Sequence, residues 1–114
     1  MFITKLISAF FNSLNGLKLT WAMEMAFRIE VFVCLLILPF LYWVEGTRIN
    51  KMLVIFSLLL VLIVELINTA IEKANDALKK TNDPLIKFSK DAASASVFLS
   101  ACFVGLCLLN LLFN

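Results

Sequence analysis

Thirteen consecutive uncharged residues, MLVIFSLLLVLIV from Met52 to Val64, run directly into ELINTAIEKAND, Glu65 to Asp76. Nothing breaks the chain where apolar gives way to polar, so a single helix has to carry both. Residues at i, i+3 and i+7 share a helix face. That places Glu65, Asn68 and Glu72 in one line, with Asp76 one turn further. A carboxylate at mid-bilayer costs roughly 2.5–3.5 kcal/mol on insertion scales. Such a ladder persists only where it faces protein, water or a cation. A helix end emerging into water accounts for Asp76 and partly for Glu72, solvated and paired with Lys73 or Lys80. It does not account for Glu65, because an apolar turn follows that residue. Glu65 is therefore expected to be functional.

The rest of the chain points to the same solvent. Its 114 residues suffice for one domain. Hydrophobic residues make up 62% of them, against about half in soluble domains. A core this small cannot hide that much apolar surface, so lipid must cover the remainder. About 20 residues cross the hydrocarbon core as a helix. Three segments meet that length: 25–44, 49–78 and 90–113. The first carries Tyr42 and Trp43 as interfacial anchors and Pro39 as a candidate kink. The third opens with Ala92, Ala93, Ser94, Ala95 and Ser96, small enough for close helix approach. Ahead of them, residues 1–22 put Ile3, Leu6, Ile7, Phe10, Leu14, Leu17 and Trp21 on one stripe. Lys5, Ser8, Asn12, Asn15 and Lys18 fall mostly on the other side, the pattern of a helix lying along a membrane surface. Neither an unbroken apolar core nor a small-residue cleavage site is visible there, so the segment is expected to remain on the mature protein. Lysines at 73, 79, 80, 87 and 90 outweigh Arg48 and Lys51, which Glu45 offsets. The positive-inside rule then puts the N-terminus in the cytoplasm and the C-terminus outside. The fold class expected is an all-α membrane protein with one surface helix and three transmembrane helices.

Several kinds of chemistry are excluded or narrowed. A net charge of +2, with no basic run between exposed aromatics, argues against nucleic acid. Histidine is absent, so acid/base work falls mainly to carboxylates. Cys34, Cys102 and Cys107 lie in apolar stretches without CxxC spacing and read as buried free thiols. No GxxxxGK[ST] or GxGxxG loop is present, so any ATP must be held by side chains and a metal. Glu24 and Arg28 in WAMEMAFRIE are four apart and could form a surface ion pair. Glu24 could instead meet Glu72 across a helix interface, and two hard oxygen donors suit Mg²⁺. Glu30, deeper in the same span, has no local partner and is expected to face protein or substrate. Lys90 and Asp91 stand just before the third span, either as ordinary interfacial and helix-dipole charges or as contacts to nucleotide phosphates.

WAMEMAFRIE, VELINTAIEKAND and KDAASASV resemble, in order and at the right distances, the signature blocks of the small bacterial integral-membrane diacylglycerol kinases. That family includes the undecaprenol kinases of Gram-positive bacteria. The resemblance covers nearly the whole chain. It implies a homotrimer with active sites between subunits, in the bacterial inner membrane. It also implies transfer of the γ-phosphoryl of MgATP to the primary hydroxyl of diacylglycerol, giving phosphatidic acid. On the matching positions, Glu65 would be the general base, with Asn68 orienting the reacting groups. Glu24 and Glu72 would hold the divalent ion, while Lys90 and Asp91 contact the nucleotide. Lys5 and Asn12 would face the nucleotide from the surface helix, and Glu30 and Ser94 would lie near the lipid. This chain departs from proteobacterial members at Lys5 (usually arginine), at Asn12 (usually tyrosine) and at Thr81–Asp83 (usually Glu-Tyr-His), all nucleotide-contacting positions. Lysine retains the charge but lacks the bidentate fork. AFRIE is closer to the proteobacterial enzymes than to the undecaprenol kinases. The alternatives are a polyprenol kinase, a non-catalytic assembly protein whose polar residues lock helices together, and a small cation transporter.

Overall fold

A computed structural model describes residues 1–79 and 82–114. Lys80, considered above as a partner of the acids, and Thr81 of the divergent run lie outside the described residues. The chain is all-helical among those residues: α1 (Phe2–Met23), α2 (Met25–Trp43), α3 (Arg48–Leu78) and α4 (Pro84–Phe113). The last three are long and apolar enough to cross a membrane. α2 runs through Pro39 to Trp43, where Tyr42 and Trp43 are exposed and meet edge to face.

Local chemistry sets the helix ends. Thr47 caps α3, its hydroxyl accepting from the Asn50 N–H. α3 stops at Lys79, which takes a left-handed φ of 54° and donates its N–H to the Asp76 carbonyl. Asp83 accepts from the Leu85 N–H, and Pro84 occupies the first turn of α4, where its missing N–H costs nothing. This cap moves the start of the last helix to residue 84, ahead of the expected 90. Its first turns are therefore polar. α1 and α2 are divided at Glu24, whose backbone is extended (φ −115°, ψ 109°).

α3 and α4 form the main helix pair, and α2 packs more lightly on α3. The buried core of Leu41, Val54, Leu58, Cys107 and Leu111 sits at the α2–α3 turn, far along α3 from its acids. At that end the Asn110 amide donates to Asn50 Oδ1 across 3.1 Å. Ser57, fully buried, returns its hydroxyl to the Val54 carbonyl. α1 lies almost entirely exposed, with Thr20 its one buried residue. The small residues of α4 are not all inward-facing: Ala93 is buried, whereas Ala92, Ser94, Ala95 and Ser96 are exposed. The thiols correct the expectation of burial in the same way. All are free, but Cys107 alone is buried, Cys34 is intermediate and Cys102 is exposed, because four helices cannot enclose every apolar face.

Candidate functional site: an acid line on the longest span

α3 is about 46 Å long at 1.5 Å per residue, longer than a hydrocarbon core of about 30 Å. Counted from Lys51, the last charge at one end, about 20 residues reach Ile71. Glu65 and Asn68 thus fall inside the span and Glu72 at its edge. Their burial follows: Glu65 is 4% exposed and Asn68 9%, with Glu72 intermediate. The Asn68 amide donates to Glu72 Oε1 at 3.3 Å, and Asn68 Oδ1 is buried without a donor. A buried amide oxygen left this way is costly unless a further group meets it.

Two other elements bring carboxyls to this line. Glu30 of α2 lies near Glu65, and Glu30 Oε2 is enclosed with no donor among the described residues. Glu24 and Glu72 are also near enough for their charges to act on Glu65. The break between α1 and α2 carries Glu24 across to α3, where its Oε1 lies 3.0 Å from Lys73 Nζ. Two pairings considered from spacing are thereby corrected. Arg28 does not pair with Glu24; it donates to the Trp21 and Ala22 carbonyls at the end of α1, at 2.7 and 3.1 Å. Glu24 lies outside helical geometry, so the four-residue spacing no longer aligns the two side chains. Lys73 takes Glu24 rather than Glu72 or Asp76, and Asp76 pairs with Lys90 of α4 at 3.0 Å.

Asp91 pairs with Lys87 at 2.7 Å. The Asn75 amide donates to Ser89 Oγ, tying the acid ends of α3 and α4 together beside the Asp76–Lys90 pair. Lys5, Asn12 and Ser94 are exposed, and no side-chain hydrogen bond or ion pair among the described residues joins them to the acid line. That Glu24 meets α3 at Lys73 could not be read from linear spacing. Lys73 was legible as a charge next to Glu72, but not as Glu24's partner.

Between α1 and α3 lies a largely apolar cleft of about 590 Å³, with Thr20, Met23, Glu24, Thr69, Ala70 and Lys73 in its wall. Among the described residues, no group of three or more histidine, cysteine, aspartate or glutamate side chains is placed to hold a metal ion. Magnesium is usually held by only one or two protein carboxylates, taking its other ligands from water and phosphate. The donorless Asn68 Oδ1 beside Glu72 adds a hard oxygen of the same kind.

Three spanning-length helices, with a buried carboxylate–amide line near one end of the longest, define a polytopic membrane protein whose polar chemistry belongs at the bilayer boundary. Comparison with known proteins makes the class specific. Residues 11–112 match the family described as prokaryotic diacylglycerol kinase. A diacylglycerol kinase of Haemophilus influenzae is 38% identical over 104 residues, covering 91% of this chain and 88% of that protein. One from Escherichia coli K12 is 36% identical over 97 residues, covering 85% and 80%. The chain belongs to the prokaryotic diacylglycerol kinase family, and it is an ATP-dependent lipid kinase. Membership favours neither the assembly-protein nor the cation-transporter reading.

Proposed function

We propose that the chain transfers the γ-phosphoryl group of MgATP to the primary hydroxyl of diacylglycerol, with Glu65 as the base. The observation that carries this reading is the burial of Glu65 inside a spanning helix, in line with Asn68 and Glu72. A lipid hydroxyl arriving laterally meets Glu65 at the depth where headgroups end, while the nucleotide arrives from water at the Glu72 end. Glu65 takes the hydroxyl proton as the alcohol oxygen bonds to the γ-phosphorus. The bond from that phosphorus to the bridging oxygen breaks, releasing ADP and leaving phosphatidic acid.

Phosphoryl transfer asks for positioning and charge neutralisation more than for covalent chemistry. Glu24 and Glu72 would hold the magnesium ion of MgATP. Bound there, it supplies positive charge to the phosphate oxygens. Asn68 orients Glu72 through its amide and offers its free oxygen to the reacting groups. Lys90 and Asp91 contact the nucleotide once they leave Asp76 and Lys87. Glu30 and Ser94 would lie near the lipid.

Lys5 and Asn12 stand apart from the acid line within one chain, which supports a homotrimer whose surface helix serves a neighbour's site. The exposed apolar length of α2 and the phenylalanines of α1 support the same arrangement, α1 resting on the membrane surface. Location in the bacterial inner membrane follows from the need for cytoplasmic ATP, with the N-terminus inside and the C-terminus in the periplasm.

The test is a panel of acceptors with γ-labelled ATP and magnesium: diacylglycerol, a long polyprenol, and no lipid. Label is expected in phosphatidic acid. Transfer confined to the polyprenol would overturn the diacylglycerol assignment, and release of labelled phosphate irrespective of lipid would overturn the kinase chemistry.

A further inference from the structure

We propose that Lys73 is a tethered stand-in for the divalent cation, holding Glu24 until a metal ion takes over that carboxylate and thereby setting how tightly metal is bound. The inference rests on the proposed metal role of Glu24 and Glu72. It begins from the 3.0 Å contact between Lys73 Nζ and Glu24 Oε1. Glu24 is the less mobile partner: its side chain is 20% exposed and sits in the short break between two helices, whereas that of Lys73 is 52% exposed. A lysine head on four methylenes can swing away at little steric cost.

The charge around this contact needs a cation. Glu65, Glu72 and Asp76 line α3 beside Lys73, whose partner Glu24 adds a fourth carboxylate. Among the described residues, Lys90 is engaged with Asp76 and Lys87 with Asp91, and the ammonium within ion-pair distance of Glu24 is that of Lys73. Lys73 is thus the group that neutralises Glu24. A divalent ion and an ammonium cannot both sit against one carboxylate without strong mutual repulsion. Metal entry must therefore displace the lysine, and its attraction for Glu24 is subtracted from the affinity for metal.

The experiment is a Mn²⁺ titration of the full chain in detergent micelles without nucleotide, following the electron paramagnetic resonance signal of the free ion. Wild type, Lys73→Met, Lys73→Arg, Glu24→Gln and Glu72→Gln are compared. Lys73→Met is expected to tighten Mn²⁺ binding roughly two- to fivefold, the scale of an exposed ion pair. The gain should shrink as KCl is raised, because salt screens the competing charge. Lys73→Arg, which keeps the charge, should stay near wild type. A lysine that merely braces the helices would lower the melting temperature of Lys73→Met without tightening Mn²⁺. If Lys73→Met binds no tighter while Glu24→Gln and Glu72→Gln bind more weakly, the role of Lys73 is overturned and the metal assignment stands. If the two glutamine variants bind as wild type, the metal assignment fails and this inference falls with it.

Discussion

Glu65 shows how one residue can be decided by depth. A glutamate on a helix surface is ordinary; one 4% exposed, about 20 Å along a spanning helix from Lys51, is not. Its neighbours are Glu30 from another helix and Asn68 on its own face, and no ion pair among the described residues includes it. As the proposed base it should be indispensable to turnover. Glu65→Gln keeps the shape and removes the proton acceptor, and it should lower kcat by about 10²–10⁴-fold, the usual contribution of general-base catalysis. Phosphatidic acid formation at saturating MgATP measures this, with Mn²⁺ affinity as the control for an intact site. A kcat within tenfold of wild type would remove Glu65 from that role.

At the scale of elements, α3 is the organising piece because it has two ends of different character. Its first half contributes Val54, Ser57, Leu58 and Val61 to buried positions, and its second half contributes Glu65, Asn68 and Thr69. The first half is pinned by the α2–α3 turn. There a Cβ on Gly46 would come within 2.5 Å of Leu111 Cδ1, and Leu111 is only 2% exposed. Gly46→Ala should therefore destabilise the fold by about 1–3 kcal/mol, the usual cost of overpacking. Gly105→Ala is the matched control: a Cβ there has no neighbour within 4 Å, so it should be neutral or slightly stabilising in a helix. Thermal unfolding in detergent distinguishes the two. Equal melting temperatures would mean that the turn can yield and that Leu111 is not locked.

For the whole molecule the question is which end meets the cytosol. Lys73, Lys79, Lys87 and Lys90 gather at the acid end, while Glu45 offsets the charge of Arg48 and Lys51 at the other. The acid end should be cytoplasmic, as an ATP-consuming site requires. In a background without Cys34, Cys102 and Cys107, Glu45→Cys should react with an impermeant maleimide added to cells whose outer membrane alone is opened. Asn82→Cys should react only after the inner membrane is breached. The reverse pattern would invert the topology and separate the acids from their nucleotide.

The three spanning helices and the line of Glu65, Asn68 and Glu72 were legible in the amino-acid sequence, because hydrocarbon thickness and helical pitch are the same for every chain. The quoted blocks carried the family as well, since they hold polar residues where a bilayer otherwise forbids them. Partner choice was not legible. Spacing set Glu24 against Arg28, and Lys73 against Glu72 or Asp76. Folding instead gave Glu24 to Lys73, Arg28 to the carbonyls of α1, and Asp76 to Lys90. Each of these contacts depends on where an unwound residue, a helix crossing or a long side chain lands in space. Such positions are products of packing between segments, which no local periodicity encodes.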